Sequence, residues 1–175
     1  MITLKWVVTI SIGVCFLSTA HAAAGDVARQ QHVATVMHFA ASRARVTEAF
    51  GPLAEASWAP EFKPEFSYPS PARQIPGAVF RTANGKIWLL HDYDVAAGRV
   101  QYVISDPSQE VTLTIDVTPD GSGCTAHMNY DMVALDERGA EHFVDMENHA
   151  DEMGREIHDA ITTYLAGNPP DHGHF

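Results

Sequence analysis

Residues 140–165 read AEHFVDMENHADEMGREIHDAITTYL, with apolar side chains at alternating steps of three and four. This is the spacing of one helical face, and acidic side chains occupy most of the remaining circumference. Gly167 and Pro169 follow, and both residue types commonly end helices. The apolar stripe consists of Phe143, Met146, Ala150, Met153, Ile157, Ala160 and Tyr164. The pattern predicts one long amphipathic helix that needs an apolar surface to cover.

Five segments before this helix have the composition of β-strands, and each ends at turn residues. They cover residues 78–82, 86–94, 99–105, 110–118 and 124–135. Asn84-Gly85 lies between the first two and is the strongest short signal for a two-residue hairpin turn. Links of this length predict an antiparallel meander.

Alternation of apolar and polar residues predicts which strand side chains face the helix. The clear inward sets are Val100, Tyr102 and Ile104; Val111, Leu113, Ile115 and Val117; and Cys124, Ala126, Met128, Tyr130 and Met132. In the segment 86–94, the polar residues Lys86 and Asp94 at the two ends lie on the same face of the strand. This predicts that the side chains of the opposite face point inward. That inward set is Ile87, Leu89, His91 and Tyr93, with Trp88 and Leu90 facing outward.

The chain before the meander predicts a strand at 32–40 and short helices at 43–50 and 53–57. Residues 60–76 contain five prolines among aromatic residues, which argues against regular strands or helices and favours a lid or rim. The whole pattern predicts an α+β domain over residues 32–167. Its curved antiparallel sheet would wrap around the long C-terminal helix, with the short helices after the first strand.

The N-terminal residues have the features of a secretory signal peptide. Lys5 precedes a short apolar run, and Ala20-His21-Ala22 has the A-x-A pattern of a cleavage site. We expect cleavage near Ala22, followed by a polar leader at 23–31, and a disordered tail at 168–175. An uncleaved N-terminal anchor is the alternative. The apolar run is shorter than a membrane span, so we favour cleavage and expect no stable membrane insertion afterwards. The predicted address is the periplasm or the exterior.

Charge and composition exclude several classes of partner. The 175 residues carry a net charge of −11. Removing Lys5 from the 11 basic residues leaves 10 against 22 acidic ones, a net charge of −12. Nucleic acids and anionic membranes need clustered Lys and Arg, so we expect neither as a partner. Cys124 would be the one cysteine left, and its strand position favours a buried thiol over a nucleophile. Neither a phosphate loop nor a dinucleotide fingerprint occurs, so we predict no cofactor.

The order of several short motifs resembles the SRPBCC superfamily, which includes polyketide cyclases, START lipid-transfer domains and birch-pollen-allergen-like proteins. The motifs are WAPEF at 58–62, GAVFRT at 77–82, Trp88, Tyr93-Asp94, RVQY at 99–102, the 113–117 strand with PDGSG at 119–123, Tyr130-Asp131, and ALD at 134–136 with Gly139. The resemblance covers roughly residues 32–167. It implies a helix-grip fold with an apolar cavity between sheet and helix, in which such proteins bind lipids, hormones or polyketides.

The residues predicted to contact a ligand come from the inward sets and the proline-rich segment. They are Trp58, Phe62, His91, Tyr93, Tyr102, Tyr130, Met146, Ala150 and Met153. His91 is also the one candidate for catalysis, because an imidazole titrates near neutral pH. Each has a structural alternative: a hydrogen-bonded histidine, packed core tyrosines, or loop aromatics that simply pack. His142, Asp145 and His149 share one side of the helix, but no fourth ligand is evident and we predict no metal site.

These observations favour an exported protein that binds a small hydrophobic ligand of lipid, polyketide or aromatic type, without chemistry. One alternative is an enzyme of cyclase, dehydrase or hydrolase type that uses the same cavity without a cofactor. A second is an interaction module that presents its acidic helix to a basic partner.

Overall fold

The computed structural model describes residues 30–167, and the predicted signal peptide and C-terminal tail lie outside them. The strands are β1 (Gln30–Phe39), β2 (Glu65–Tyr68), β3 (Ala78–Arg81), β4 (Ile87–Asp94), β5 (Arg99–Asp106), β6 (Gln109–Asp120) and β7 (Gly123–Ala134). The helices are α1 (Arg43–Ala49), α2 (Pro52–Trp58), α3 (Glu137–Asn148) and α4 (Ala150–Gly167). β1 therefore begins inside the segment that was predicted to be a polar leader.

The strands form one antiparallel sheet in the order β1-β7-β6-β5-β4-β3-β2. β3 to β7 follow one another as the predicted meander, and β1 closes the sheet beside β7. The inward sets of β5, β6 and β7 are confirmed, because their apolar members are buried on the side that the helices cover. Cys124 is buried among them, as predicted. The predicted α+β helix-grip fold is therefore confirmed.

The sequence prediction missed β2, because it expected no regular strand between residues 60 and 76. Glu65–Tyr68 pairs with β3 and forms the edge of the described sheet. An edge strand needs hydrogen-bond partners on one side only, so prolines can flank it without breaking a ladder. Pro64 and Pro69 stand directly before and after β2.

The predicted single helix is broken at His149 into α3 and α4. The His149 amide donates to Asp145 O at 3.1 Å, and the backbone then leaves helical geometry at φ −112° and ψ 10°. The His149 ring Nδ1 lies 2.8 Å from the same carbonyl oxygen and competes for it. α4 remains the long C-terminal helix that the fold requires, and it packs against β1, α1 and α2.

Candidate functional site

The inner surface of the sheet is closed by α4 on one side and only partly covered elsewhere. Gly154 lets α4 approach β1, since a Cβ atom there would lie 2.3 Å from Thr35 Oγ1. Further across the sheet, inward-facing apolar side chains retain accessible surface although they pack against the core. They are Trp88, Tyr93 and Tyr130 on the strands and Met146, Ala150, Met153, Ile157, Ala160 and Tyr164 on the helices. Five of the predicted ligand contacts belong to this set: Tyr93, Tyr130, Met146, Ala150 and Met153. Tyr102 is fully buried, and its predicted contact with a ligand remains a prediction.

The inward position predicted for His91 is wrong. Leu90 pairs with Tyr102 and Asp92 pairs with Gln101, so His91 is the extra residue of a β-bulge, and it is exposed. A bulge shifts the alternation by one residue, so the residues before and after it follow different parities. Trp88 and Leu90 therefore face inward before the bulge and Tyr93 after it, whereas Ile87 is exposed. The predicted parity of β4 is thus wrong for the residues before the bulge and holds from Asp92 onward.

We expect His91→Ala to change the free energy of unfolding by less than about 0.5 kcal/mol, because the side chain is exposed and outside the core. Urea denaturation of the variant and the wild type at pH 7 measures the difference. Leu90→Ala is the comparison, since that neighbouring side chain is fully buried and its loss should cost about 2–5 kcal/mol. A large loss for His91→Ala would contradict the exposed bulge.

Phe80 is the centre of an aromatic cluster that forms part of the inner surface. Its ring stacks on Trp88 at a centroid distance of 5.8 Å and meets Tyr102 edge to face at 6.2 Å. Phe62 makes edge contacts with Phe80 and Trp88, at 5.8 and 5.3 Å. Trp88 Nε1 donates to Thr82 Oγ1 at 3.1 Å, which fixes the indole. Phe62 therefore packs in this cluster, and its predicted contact with a ligand remains a prediction.

Three inward tyrosines have their hydroxyl groups in defined hydrogen bonds. Tyr102 donates to Phe50 O at 2.8 Å, and Tyr130 donates to Met128 Sδ at 3.7 Å. The Tyr93 hydroxyl accepts a bond from Gln74 Nε2 at 2.9 Å. Burial raises the pKa of all three phenols, that of Tyr93 to about 12. They are therefore neutral at physiological pH.

Gln74 joins this surface to α2. Its Oε1 accepts from the backbone amides of Leu53 at 2.8 Å and Ala54 at 3.3 Å, while its Nε2 reaches the Tyr93 hydroxyl. The amide groups at the start of a helix lack partners within the helix, so this bond stabilises the first turn of α2. Gln74 thereby fixes α2 relative to β4.

Glu55 on α2 is the inward-facing acidic group that the sequence prediction missed. Desolvation raises the pKa of its carboxyl group from 4.5 to about 8, and the charge of Glu55 in turn raises the pKa of Tyr102 and Tyr130. The carboxylate thus lies near two inward tyrosines, one on β5 and one on β7. The residue nevertheless keeps some accessible surface.

The signal for Glu55 was its spacing along α2. Pro52, Glu55 and Trp58 follow at steps of three, so they share one helical face. Pro52 is buried and Trp58 Nε1 donates to Ala49 O at 2.7 Å, so this face points into the molecule. A glutamate between a buried and a partly buried neighbour on one face is a candidate for an interior carboxyl group.

A groove of about 530 Å³ separates α2 from α4. It is lined by Ser57, Trp58, Asp159, Ala160, Thr163, Tyr164 and Gly167. Ala160 and Tyr164 belong to the inward stripe of α4, so the groove borders the inner surface. Trp58 lines this groove, and its predicted contact with a ligand remains a prediction.

The acidic flank of α3 and α4 faces solvent. His142, Asp145 and His149 are exposed, and His149 bonds back to the Asp145 carbonyl oxygen. Within residues 30–167 no group of three His, Cys, Asp or Glu side chains has an arrangement that could hold a metal ion. No helix in that range is long and apolar enough to cross a membrane. Binding of a basic partner to the acidic flank remains a prediction.

Comparison with known proteins supports the fold and goes no further. No family model and no curated protein matches the chain. Among solved structures, Ara h 8.0201 has 15% identity and a TM-score of 0.60, with coverage of 79% of this chain and 99% of that chain. A protein from Thermobifida fusca solved by NMR has 22% identity and a TM-score of 0.57, covering 82% and 99%.

Norcoclaurine synthase from Thalictrum flavum, in complex with dopamine and hydroxybenzaldehyde, has 12% identity and a TM-score of 0.60, covering 97% and 100%. These structures share the fold of this chain, which confirms the predicted helix-grip fold. At these identities the likeness carries no ligand or activity to this chain.

Proposed function

We propose that this protein is an exported binding protein that holds a small hydrophobic ligand between its sheet and its C-terminal helix. The observation that carries the proposal is the incomplete contact between α4 and the sheet. Inward-facing apolar side chains on both keep accessible surface, whereas α4 is closely packed at β1.

The composition of this inner surface suits such a ligand. Binding sites for small molecules are lined mainly by apolar and aromatic side chains, with a few polar groups that orient the ligand. Here the apolar lining comes from Trp88, Met146 and Met153, and the polar groups are Glu55 and the tyrosine hydroxyls. The groove between α2 and α4 is our candidate for the path of access.

Two further observations support the proposal. The structure of norcoclaurine synthase, which has the same fold, contains two small aromatic molecules, so this fold can accommodate ligands of that size. The residues at 1–22 have the pattern of a secretory signal, which is the basis for the proposed export to the periplasm or exterior.

Native mass spectrometry of the protein purified from its source tests occupancy of the interior. We expect a bound mass that is released on denaturation. Ala160→Phe should reduce the bound fraction at least tenfold, because the added ring would fill the groove beside Trp58 and Tyr164. Ala166→Phe is the matched control on the same helix, since Ala166 is exposed and outside the lining.

An empty wild-type protein, with no thermal shift across a panel of lipids and aromatic compounds, would contradict the proposal. Equal occupancy of both variants would place the ligand elsewhere. Circular dichroism of each variant shows whether the added ring has disturbed the fold instead.

Glu55 favours a second candidate, an enzyme that acts in the same space without a cofactor. A general acid is most effective when its pKa lies near the working pH, and desolvation raises the pKa of Glu55 to about 8. The carboxyl group could therefore donate a proton to a bound carbonyl or leaving group. Turnover of a candidate substrate should then be lost in Glu55→Gln while ligand occupancy persists.

A further inference from the structure

The two edge strands of the described sheet, β1 and β2, differ in how they are protected from pairing with a further strand. β2 is four residues long, contains Glu65 and lies between Pro64 and Pro69. β1 is ten residues long, and its sequence QQHVATVMHF contains no Lys, Arg, Asp, Glu, Pro or Gly. Short length, charge and proline are features that keep an edge strand from pairing with another chain. β1 has none of them, so it is the edge suited to a partner strand.

The backbone direction of β1 shows which of its residues face the free edge. Phe39 O faces β7, because a Cβ atom at Gly123 would collide with it. His38 O faces the opposite way, where it accepts a hydrogen bond from His158 Nε2 of α4 at 3.0 Å. The direction of the backbone groups alternates from one residue to the next in an antiparallel ladder. The amides and carbonyls of the even-numbered residues of β1 therefore point away from β7.

Three even-numbered residues, His32, Ala34 and Val36, present these groups along an accessible edge. All three are exposed, and within residues 30–167 no hydrogen bond from outside the sheet reaches their backbone. A groove of about 570 Å³ lies between this edge and α4, so a partner strand has room beside it. The groove is lined by Thr35, Val36, Met37, His38, Asp151, Gly154, Arg155 and His158.

The groove carries one charge of each sign on α4. Asp151 and Arg155 lie within one turn of Gly154, which packs against Thr35 of β1. Neither charge is within ion-pair distance of another residue in the described range. A second copy related by a two-fold rotation presents the same two charges in reverse order. Asp151 then faces Arg155 of the partner subunit, which makes this surface complementary to itself.

We propose that two copies of this chain pair through their β1 strands, antiparallel about a two-fold axis at Ala34, and join their seven-stranded sheets into one. His158 occupies His38 O, so the ladder ends at Val36. The longest symmetrical ladder then runs from His32 to Val36 in each copy. It contains three residue pairs with two hydrogen bonds each.

Sedimentation velocity of the purified protein at 150 mM NaCl tests the proposal, because this salt screens the repulsion of two acidic copies beyond about 8 Å. We expect the mass of two chains at high concentration and of one chain on dilution. Val36→Pro should raise the dissociation constant at least about tenfold, because it removes an amide that faces the free edge and leaves the bonds to β7. Val36→Thr keeps the amide and should associate like the wild type.

A wild type that stays monomeric at every concentration would overturn the proposal. Val36→Pro that dimerises as tightly as the wild type would overturn it too, because the interface would then lie elsewhere. Circular dichroism of Val36→Pro shows whether the variant has kept its fold.

Cysteine cross-linking tests the axis and does not depend on the proline variant. Ala34→Cys places two thiols opposite each other with a Cα separation of about 5.5 Å, which a disulfide can span. Val36→Cys is the matched control, since the register offsets its two thiols by four residues, or about 13 Å. The native Cys124 is buried. We expect mild oxidation to link only Ala34→Cys, and preferential linkage of Val36→Cys would overturn the axis.

Mixing two charge-reversal variants tests the contact between the α4 helices. Asp151→Arg alone and Arg155→Asp alone should each dimerise more weakly than the wild type, because like charges then meet across the axis. An equimolar mixture should recover wild-type association, since every Arg then faces an Asp of the other copy. A mixture that associates as weakly as its components would overturn this pairing of the two copies.

Discussion

Between pH 5 and pH 7.5, the wild-type protein is expected to lose about 3 kcal/mol of unfolding free energy that the Glu55→Gln variant does not lose. The pKa of Glu55 is raised from 4.5 to about 8 in the folded protein. The folded state therefore binds the proton more tightly than the unfolded state. Stability from this group is complete below pH 4.5 and falls as the pH rises toward 8, by about 1.4 kcal/mol per unit. Glutamine has no such titration.

Urea denaturation at pH 5, 6, 7 and 7.5 measures this effect as the difference between the two proteins. Other carboxylates and histidines titrate in both, so their contributions cancel. Glu61→Gln, at an exposed position, should follow the wild-type curve. Parallel curves for wild type and Glu55→Gln would show that Glu55 is solvated, which would remove the basis for an interior acid.

Phe80→Ala is expected to lower the free energy of unfolding by about 3–5 kcal/mol. Phe80 is fully buried, and its ring contacts those of Phe62, Phe66, Trp88 and Tyr102. Loss of the ring would leave a cavity bounded by rigid aromatic groups that cannot easily collapse into it. The same change should quench or shift the fluorescence of Trp88, which stacks on Phe80.

Phe66→Ala provides the comparison, because Phe66 lies on the edge strand β2, is only partly buried and has one ring contact, with Phe80. In chemical denaturation, Phe66→Ala should lose less than half as much unfolding free energy as Phe80→Ala. Equal losses would contradict the position of Phe80 at the centre of the cluster. They would also contradict the inward orientation of Trp88, whose ring stacks on Phe80.

The regular parts of the fold could be predicted from the sequence because burial on one face leaves a period. The stripe from Phe143 to Tyr164 and the alternation in β6 each reflect a surface that faces the core along its whole length. Local irregularities leave no such period. The bulge at His91 places both Leu90 and Tyr93 inside, three residues apart, and the two-residue period of a strand does not allow this spacing. The break at His149 is confined to one residue, and the apolar stripe continues across it without a change of period.

The candidate site was only partly predictable for a related reason. Tyr102 and Tyr130 follow from strand parity, whereas Glu55 lies on a seven-residue helix, where the spacing of Pro52, Glu55 and Trp58 is only a weak signal of a shared face. A charged residue in a short helix is ordinarily exposed. Its interior position depends on how α2 is fixed, through Gln74 to Tyr93 and through Tyr102 to Phe50 O. These contacts join residues far apart in the chain.

Carbon-13 NMR titration of the Glu55 carboxyl group tests the central claim most directly. The resonance is assigned by its loss in Glu55→Gln and followed from pH 3 to pH 10. We expect a midpoint of about 8, because burial disfavours the charged carboxylate. A midpoint near 4.5 in the free protein would contradict an unpaired carboxyl group in an apolar interior.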